Sequence, residues 1–230
     1  MIKPIKENVL KKLIEKIYKA DPNKFVLIQV GANDGWMCDR MFDFVNKYDP
    51  FSIMIEPVPC YYNILKENYK DNNNVNFENI AIDNKKGKRV MHYIPEKKFS
   101  DGEVTFRLET RPELIKEHWA RGLGSFYNDR NNIACPELSK YATTAEVQTE
   151  TISNIFNKYN ITKEHNVVIQ TDCEGHDLNI LNSFDFKINK PLIYISEIYY
   201  KIRYPVSHPR YKPHPTKGKI EYLQEGGLYS

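Results

Sequence analysis

The chain has 230 residues, of which 41% are hydrophobic and 27% charged, and its formal net charge is +3. This length allows one domain with a substantial core, and the charge is too small to indicate nucleic acid or an anionic membrane as the partner. The four cysteines, Cys38, Cys60, Cys135 and Cys173, are widely spaced without a CxxC pair, which argues against a disulfide framework or a zinc finger.

The first element is an amphipathic helix, predicted over residues 1–20. Apolar residues between positions 9 and 18 recur at helical spacing, with lysines between them. Charges throughout the segment argue against a signal peptide and against a membrane span. The expected location of the protein is therefore the cytoplasm.

Apolar runs then alternate with helical patterns. The predicted strands cover residues 25–30, 51–57, 74–82 and 88–94, and the predicted helices cover residues 37–48 and 61–69. Such alternation is typical of a parallel sheet with helices on both faces. The sequence thus predicts an α/β fold with a doubly wound, mostly parallel sheet.

The second half of the chain contains two irregular segments. Residues 95–148 are polar and weakly periodic, so we expect an inserted lid over a site. The alternation resumes after residue 148, with strands predicted at 166–172 and 191–200. Residues 201–219 carry six Lys or Arg, no acid and four prolines, which predicts a basic loop. Since no further strand follows, we expect a single domain over 1–230 whose C-terminus is truncated.

Acidic residues stand at the ends of several predicted strands. Asp34 follows the first strand, Glu56 the second, and Asp172 and Glu174 the strand at 166–172, while Glu197 lies near the end of the next. Ligands of doubly wound sheets bind outside the carboxyl ends of the strands. Clustered acids there indicate a ligand with hydroxyl groups and a positive charge rather than one dominated by phosphate.

The turn GANDG at residues 31–35 narrows the kind of ligand. Its glycines allow a tight turn and a close approach to a ligand, but it lacks the GxGxxG spacing of pyrophosphate loops, which argues against a nicotinamide dehydrogenase. Glu56 lies roughly 20 residues on, where an acid can accept both hydroxyls of a ribose. A phosphate-free, cationic cofactor that carries a ribose is S-adenosyl-L-methionine.

Six motifs resemble, in order and spacing, those of the FkbM-type methyltransferases. They are VGANDG (30–35), IEPVPCYYNILKEN (55–68), VNFENIAI (75–82), GLGSF (122–126), VQTETISNIF (147–156) and QTDCEGHDLNIL (170–181). The resemblance implies a class I methyltransferase fold, which is Rossmann-like, with S-adenosyl-L-methionine as cofactor and methyl transfer to oxygen, usually on sugars or glycosylated natural products. Two positions depart from the pattern: Gln170 replaces a residue that is often basic, and His176 replaces a small one.

The resemblance also implies a set of cofactor-binding residues. They are Gly31, Asn33, Asp34 and Gly35 for the methionine end, Glu56 for the ribose hydroxyls, Asn79, Ala81 and Ile82 for the adenine pocket, and Asp172 beside the reacting sulfonium.

His176 is the best-placed candidate for a general base, because an imidazole near neutrality can take the proton of an acceptor hydroxyl. The alternative is an ordinary polar residue in the first turn of a helix. Glu197 lies among apolar neighbours and is expected to face a site or a partner, since burying a lone carboxylate is costly. Asp172 and Glu174 are further catalytic candidates, with helix capping or binding of Mg²⁺ as alternatives.

Fewer residues are candidates for binding the methyl acceptor. Arg121, Ser125 and Tyr127 are candidate acceptor contacts in the predicted lid. The loop at 201–219 is either a solvated loop or a surface that binds a phosphate-bearing acceptor or RNA. The nearly neutral charge of the rest of the chain argues against RNA. The predicted function is an O-methyltransferase acting on a hydroxyl of a sugar, sugar nucleotide or glycan; an RNA ribose 2′-O-methyltransferase and a noncatalytic binding module are the alternatives. Neither the oligomeric state nor the acceptor's identity follows from the sequence.

Overall fold

The computed structural model describes residues 7–36, 39–97, 123–127, 136–187 and 190–196. The helices in this part of the chain are α1 (Glu7–Ala20), α2 (Phe42–Tyr48), α3 (Pro59–Asn68), α4 (Ile152–Lys158) and α5 (Asp177–Asn182), with 3₁₀ turns at Pro22–Lys24 and Pro136–Tyr141. The strands are β1 (Phe25–Val30), β2 (Ser52–Ile55), β3 (Val75–Glu78), β4 (Ala81–Ile82), β5 (Gly87–Tyr93), β6 (Thr143–Glu150), β7 (Asn166–Thr171) and β8 (Ile193–Ser196). None of these helices is long and apolar enough to cross a bilayer.

Within the described residues, the central sheet has five strands in the order β3-β2-β1-β7-β8. Every neighbouring pair in this sheet is parallel. The sheet and its flanking helices confirm the predicted α/β, Rossmann-like fold. The chain runs outwards from β1 to β3 and then returns to the other side of β1 with β7. Ligands bind outside the carboxyl ends of the strands at such a reversal.

Strand β1 is buried along its whole length because its alternate side chains enter two different cores. Val26, Ile28 and Val30 pack with residues of α4 and α5 on one face of the sheet. Phe25 and Leu27 pack with residues of α1, α2 and α3 on the other face. A strand that is covered on both faces reads as a continuous apolar run, which is the pattern that predicted it.

Strands β4, β6 and β5 form a second sheet, in which β4 and β6 are parallel and β5 and β6 are antiparallel. The segment 74–82, predicted as one strand, is therefore two strands that belong to different sheets. Asn79 lies at the crossing, where its side-chain Nδ2 donates to the main-chain carbonyls of Glu56 (2.8 Å) and Pro57 (3.1 Å). These two bonds attach the crossing to the end of β2.

Strand β6 includes residues 143–148, which the sequence reading assigned to the inserted segment. Val147 and Thr149 are buried while Glu146 and Gln148 are exposed, so the segment alternates as a half-buried strand does. Threonine and alanine occupy several of its positions, so the alternation in hydrophobicity is weak. Of the expected lid, residues 98–122 and 128–135 lie outside the described part of the chain.

Candidate functional site

A cleft opens at the carboxyl ends of the central strands. The ends of β1, β2 and β7 line it, together with β4, β5 and residues 124 and 126. Its empty volume is about 530 Å³, including space open to solvent. Ligands of doubly wound sheets bind outside the carboxyl ends of the strands, so the position of this cleft makes it the candidate site for the predicted ligand.

The glycines of the turn at 31–35 are required by their positive φ angles and by close neighbours. Gly31 has φ +76°, and a Cβ there would lie 2.1 Å from the carbonyl oxygen of Asp172. Gly35 has φ +69°, and a Cβ there would lie 2.4 Å from Cδ1 of Leu65. A side chain at either position would therefore meet both backbone strain and a collision. Gly31 lines the cleft, whereas Gly35 packs the turn against α3.

Glu56 follows β2 and holds the turn after β1. Its Oε2 accepts a hydrogen bond from the main-chain N–H of Asn33, and its Oε1 accepts one from Val58, each at 2.8 Å. Burial raises the pKa of Glu56 to about 7, although the two N–H bonds oppose the shift and the charge of Asp34 adds to it. The carboxylate is thus fixed in position and ionises near neutral pH.

Asn33 contributes a second acceptor to the cleft. Its φ is +50°, and its Oδ1 is buried with no hydrogen-bond partner among the described atoms. A buried polar atom without a partner is costly, so a ligand that donates a hydrogen bond there would relieve the cost. The described lining contains no lysine or arginine. The described part of the lining thus offers acceptors to the hydroxyls and the ammonium group of S-adenosylmethionine and no cationic side chain to a phosphate.

The predicted cofactor residues fall into two groups. Those that line the cleft are Gly31, Asn33, Glu56, Ala81, Ile82 and Asp172. Asp34, Gly35 and Asn79 lie outside the lining. The buried carboxylate of Asp34 accepts a hydrogen bond from the N–H of Trp36 at 3.0 Å, and its carbonyl accepts one from Asn68 at 2.7 Å. Asp34 therefore stabilises the turn at 31–35 through these hydrogen bonds, from outside the cleft lining.

His176 lies at the N-cap of α5 and also lines the cleft. Its side chain is buried, with Nε2 3.2 Å from Oδ1 of Asp83 and Nδ1 3.1 Å from Nδ2 of Asn179. An amide nitrogen donates, so Nδ1 is the acceptor and Nε2 carries the hydrogen that goes to Asp83. Burial lowers the pKa of His176, and the nearby charge of Arg89 lowers it further, against the effect of Asp83.

Asp83 and Arg89 complete a cluster that the sequence reading missed. Arg89 donates to Oδ2 of Asp83 at 2.8 Å, and its guanidinium carbon lies 3.8 Å from the ring centre of Phe126. Although burial opposes it, the hydrogen bond from Arg89 keeps the pKa of Asp83 below its usual value. Asp83 and His176 are 93 residues apart, and no local pattern connects them.

Ser125 and Tyr127 were predicted to contact the acceptor. In the structure they make contacts that connect β5, the loop after β7 and α5. Residue 125 forms an antiparallel bridge with His92 of β5. The Ser125 hydroxyl donates to the carbonyl of Glu174 and accepts from the N–H of Tyr127, each at 3.2 Å. The Tyr127 hydroxyl accepts from Asn179 at 3.2 Å. Arg121 and Glu197, the other predicted site residues on this side, lie outside the described residues.

The candidate metal ligands Asp172 and Glu174 occupy the loop after β7. Asp172 is exposed and lines the cleft, and Glu174 has φ +48°. In the part of the chain that the structure describes, no group of three or more His, Cys, Asp or Glu side chains could hold a metal ion. The structure therefore gives no support to Mg²⁺ binding, which was an alternative interpretation of these two residues.

Comparison with known proteins identifies one family. The model of the FkbM methyltransferase domain matches residues 29–220. This span covers most of the chain and includes every described residue that lines the cleft. The searches of curated proteins and of solved structures gave no match.

Proposed function

The chain belongs to the FkbM methyltransferase family, and we propose that it methylates a hydroxyl group of a sugar, a sugar nucleotide or a glycan. The membership supports S-adenosylmethionine as the cofactor. The observation that carries the proposal is the cleft at the carboxyl ends of β1 and β2, where the acceptors Glu56 and Asn33 stand among described lining residues that include no lysine or arginine.

The cofactor would be held by residues of three strand ends. The carboxylate of Glu56 would accept the ribose hydroxyls, and Oδ1 of Asn33 would accept a hydrogen bond from the ammonium of the methionine moiety. Ala81 and Ile82, both buried, would contact the adenine ring. The bound cofactor would supply an electrophilic methyl group, and transfer of this group would convert the cofactor's sulfonium into a neutral thioether.

Methyl transfer to oxygen also needs a place for the hydroxyl proton. Asp172 is the described carboxylate that lines the cleft and remains exposed to an incoming acceptor. We propose that this carboxylate takes the proton as the acceptor oxygen forms its bond to carbon. The same role was predicted for His176, but its Nδ1 already accepts a hydrogen bond from Asn179. Glu174 and Glu197 stay predictions for this step.

The rest of the site would act by alignment. Holding two reactants in line and excluding water lowers the barrier without a further chemical group. Residues 123–127 cross from β5 to the loop after β7 and close one side of the cleft. Acceptor contacts from Arg121, Ser125 and Tyr127 and a phosphate-binding role for 201–219 stay predictions.

A methyl-transfer screen tests the proposal. The full chain is incubated with methyl-labelled cofactor and a panel of sugar nucleotides, glycans and RNA. We expect label in a carbohydrate product, and turnover at least 100-fold slower for Asp172→Asn, since a positioned base contributes about 10²–10⁴-fold. The control is Glu164→Gln, an exposed acid before the opposite end of β7. Label in RNA alone would contradict the carbohydrate assignment, and unchanged turnover of Asp172→Asn would remove Asp172 as the base.

A further inference from the structure

Contacts from the second sheet converge on the loop between β7 and α5. The His176 ring meets Asp83, which directly follows β4. The Glu174 carbonyl accepts from Ser125, which is bridged to β5. The rings of Phe126 and His176 contact each other in a T-shaped arrangement, with the ring centres 4.9 Å apart. The loop that carries Asp172 is therefore held from the side by elements outside the central sheet.

Among these contacts to the loop, the one between Asp83 and His176 joins two buried polar side chains. The two side chains are 5% and 4% exposed, and both ring nitrogens of His176 have partners. To act as a base, His176 would have to lose the bond from Asn179 and then carry a charge while buried near Arg89. Asp83 would compensate in part, but its charge is already shared with Arg89 at 2.8 Å. The environment favours a neutral ring that donates one hydrogen bond and accepts another.

The pair also connects two walls of the cleft. Asp83 directly follows Ile82, which lines the cleft on the side proposed for adenine. His176 follows Asp172 by four positions in the sequence and caps α5, with its N–H bonded to the carbonyl of Cys173 at 3.0 Å. Displacing either member would let the two walls move relative to each other.

We propose that Asp83 and His176 are positioning residues. Asp83 holds the His176 ring in its Nε2–H tautomer, and the ring ties the β4 wall of the cleft to the loop that carries Asp172. His176 thus acts by hydrogen bonding and transfers no proton. The effect on cofactor binding rests on the function proposed above, whereas the state of the ring does not.

The state of the ring is measured by NMR on the full wild-type chain with ¹⁵N-labelled histidine. The His176 signal is assigned as the one that His176→Gln lacks. We expect the Nε2–H tautomer at pH 7 and a pKa of His176 below that of an unperturbed histidine. An imidazolium or an Nδ1–H tautomer at pH 7, or a pKa above that of an unperturbed histidine, would overturn the proposal. This measurement needs neither the cofactor nor a folded Asp83 variant.

The link between the walls is measured as affinity for S-adenosylhomocysteine by calorimetry. Loss of the Asp83–His176 hydrogen bond should weaken binding about tenfold in Asp83→Ala and in His176→Ala, although the first variant also loses the pairing with Arg89 and the second the bond from Asn179. Asp83→Asn keeps an acceptor and His176→Gln keeps a donor at the Nε2 position, so both should bind within about threefold of wild type. A proton-transfer role would instead make His176→Gln as slow as His176→Ala in methyl transfer.

The matched control is Glu146→Ala, which removes a carboxylate of the same sheet that pairs with Lys88 at 2.7 Å on the exposed face. Its affinity should equal that of wild type. Equal affinity of Asp83→Ala and wild type would overturn the positioning role. If wild type itself fails to bind S-adenosylhomocysteine, the proposed function and the cofactor effect fall, while the NMR spectrum still decides the state of His176.

Discussion

Burial of the Glu56 carboxylate costs folding free energy, but it places an acceptor in the cleft. Glu56 is 5% exposed, and its burial raises its pKa to about 7. The main-chain N–H groups of Asn33 and Val58 recover part of the cost. A ligand that donates hydroxyl hydrogens to the carboxylate would recover more, since hydrogen bonds to the charged form favour that form.

Cofactor binding should therefore depend on pH through Glu56. In the proposed role the ionised form accepts the ribose hydroxyls, so protonated Glu56 would have to lose its proton when the ligand binds, and affinity should rise with pH. With a pKa of about 7, the ionised fraction grows from about one tenth at pH 6 to about nine tenths at pH 8. We expect affinity for S-adenosylhomocysteine to rise about tenfold over this range. Calorimetry in two buffers of different ionisation enthalpy would also count the released protons.

The control for this pH dependence is Glu56→Gln, which removes the titrating group while keeping the size of the side chain. Its affinity should be lower than that of wild type at pH 8 and should change little with pH. If the variant keeps the wild-type slope, another group controls the pH dependence and the ribose role of Glu56 is wrong.

At the scale of elements, the crossing between β3 and β4 positions the cleft. The chain leaves the central sheet at Glu78 and enters the second sheet at Ala81. Asn79 bridges this crossing to the main chain at Glu56 and Pro57. The same short segment therefore sets the distance between the proposed ribose acceptor and the proposed adenine contacts.

Removing the Asn79 amide should affect both stability and binding. Asn79→Ala leaves the carbonyls of Glu56 and Pro57 without their side-chain donor, which should cost about 1–3 kcal/mol and weaken cofactor binding severalfold. Urea unfolding and calorimetry measure the two effects. The matched control is Asn76→Ala, whose amide makes longer bonds of 3.3 and 3.5 Å and lies outside the cleft lining. Equal losses in the two variants would contradict a special role for the crossing.

The elements differ in how well the sequence predicted them. Strands β1 and β7 were readable because burial on both faces leaves a continuous apolar run. The division of 74–82 into two strands was not predictable, because the apolar pattern continues through Ile80. The crossing is visible only in the strand pairings and in the hydrogen bonds of Asn79. Most of strand β6 was assigned to the predicted lid because residues such as Thr143 and Thr144 carry little hydrophobic signal.

At the scale of the whole molecule, the site combines local and distant contributions. The turn at 31–35 and the acid at 56 are local patterns at strand ends, so the sequence indicated them, and the structure places Gly31, Asn33 and Glu56 on one cleft. The partnership of Asp83 with His176 depends on how two sheets meet. Hydrophobic periodicity carries no information about such a contact, so it could be found only in the folded chain.

Binding at the cleft should stabilise the whole chain in a ligand-specific way. A ligand at 100 times its dissociation constant stabilises the native state by about 2.7 kcal/mol, and for a domain of this size each kcal/mol shifts the unfolding temperature by about 2–4 °C. Saturating S-adenosylhomocysteine should thus raise the unfolding temperature by about 5–10 °C in a calorimetric scan. ADP shares the adenosine group but brings phosphates to a lining with Glu56 and Asp172 and without lysine or arginine among its described residues, so it should cause no shift. An equal shift with ADP would mean that adenosine alone is recognised, and the argument from the acidic strand ends would fail.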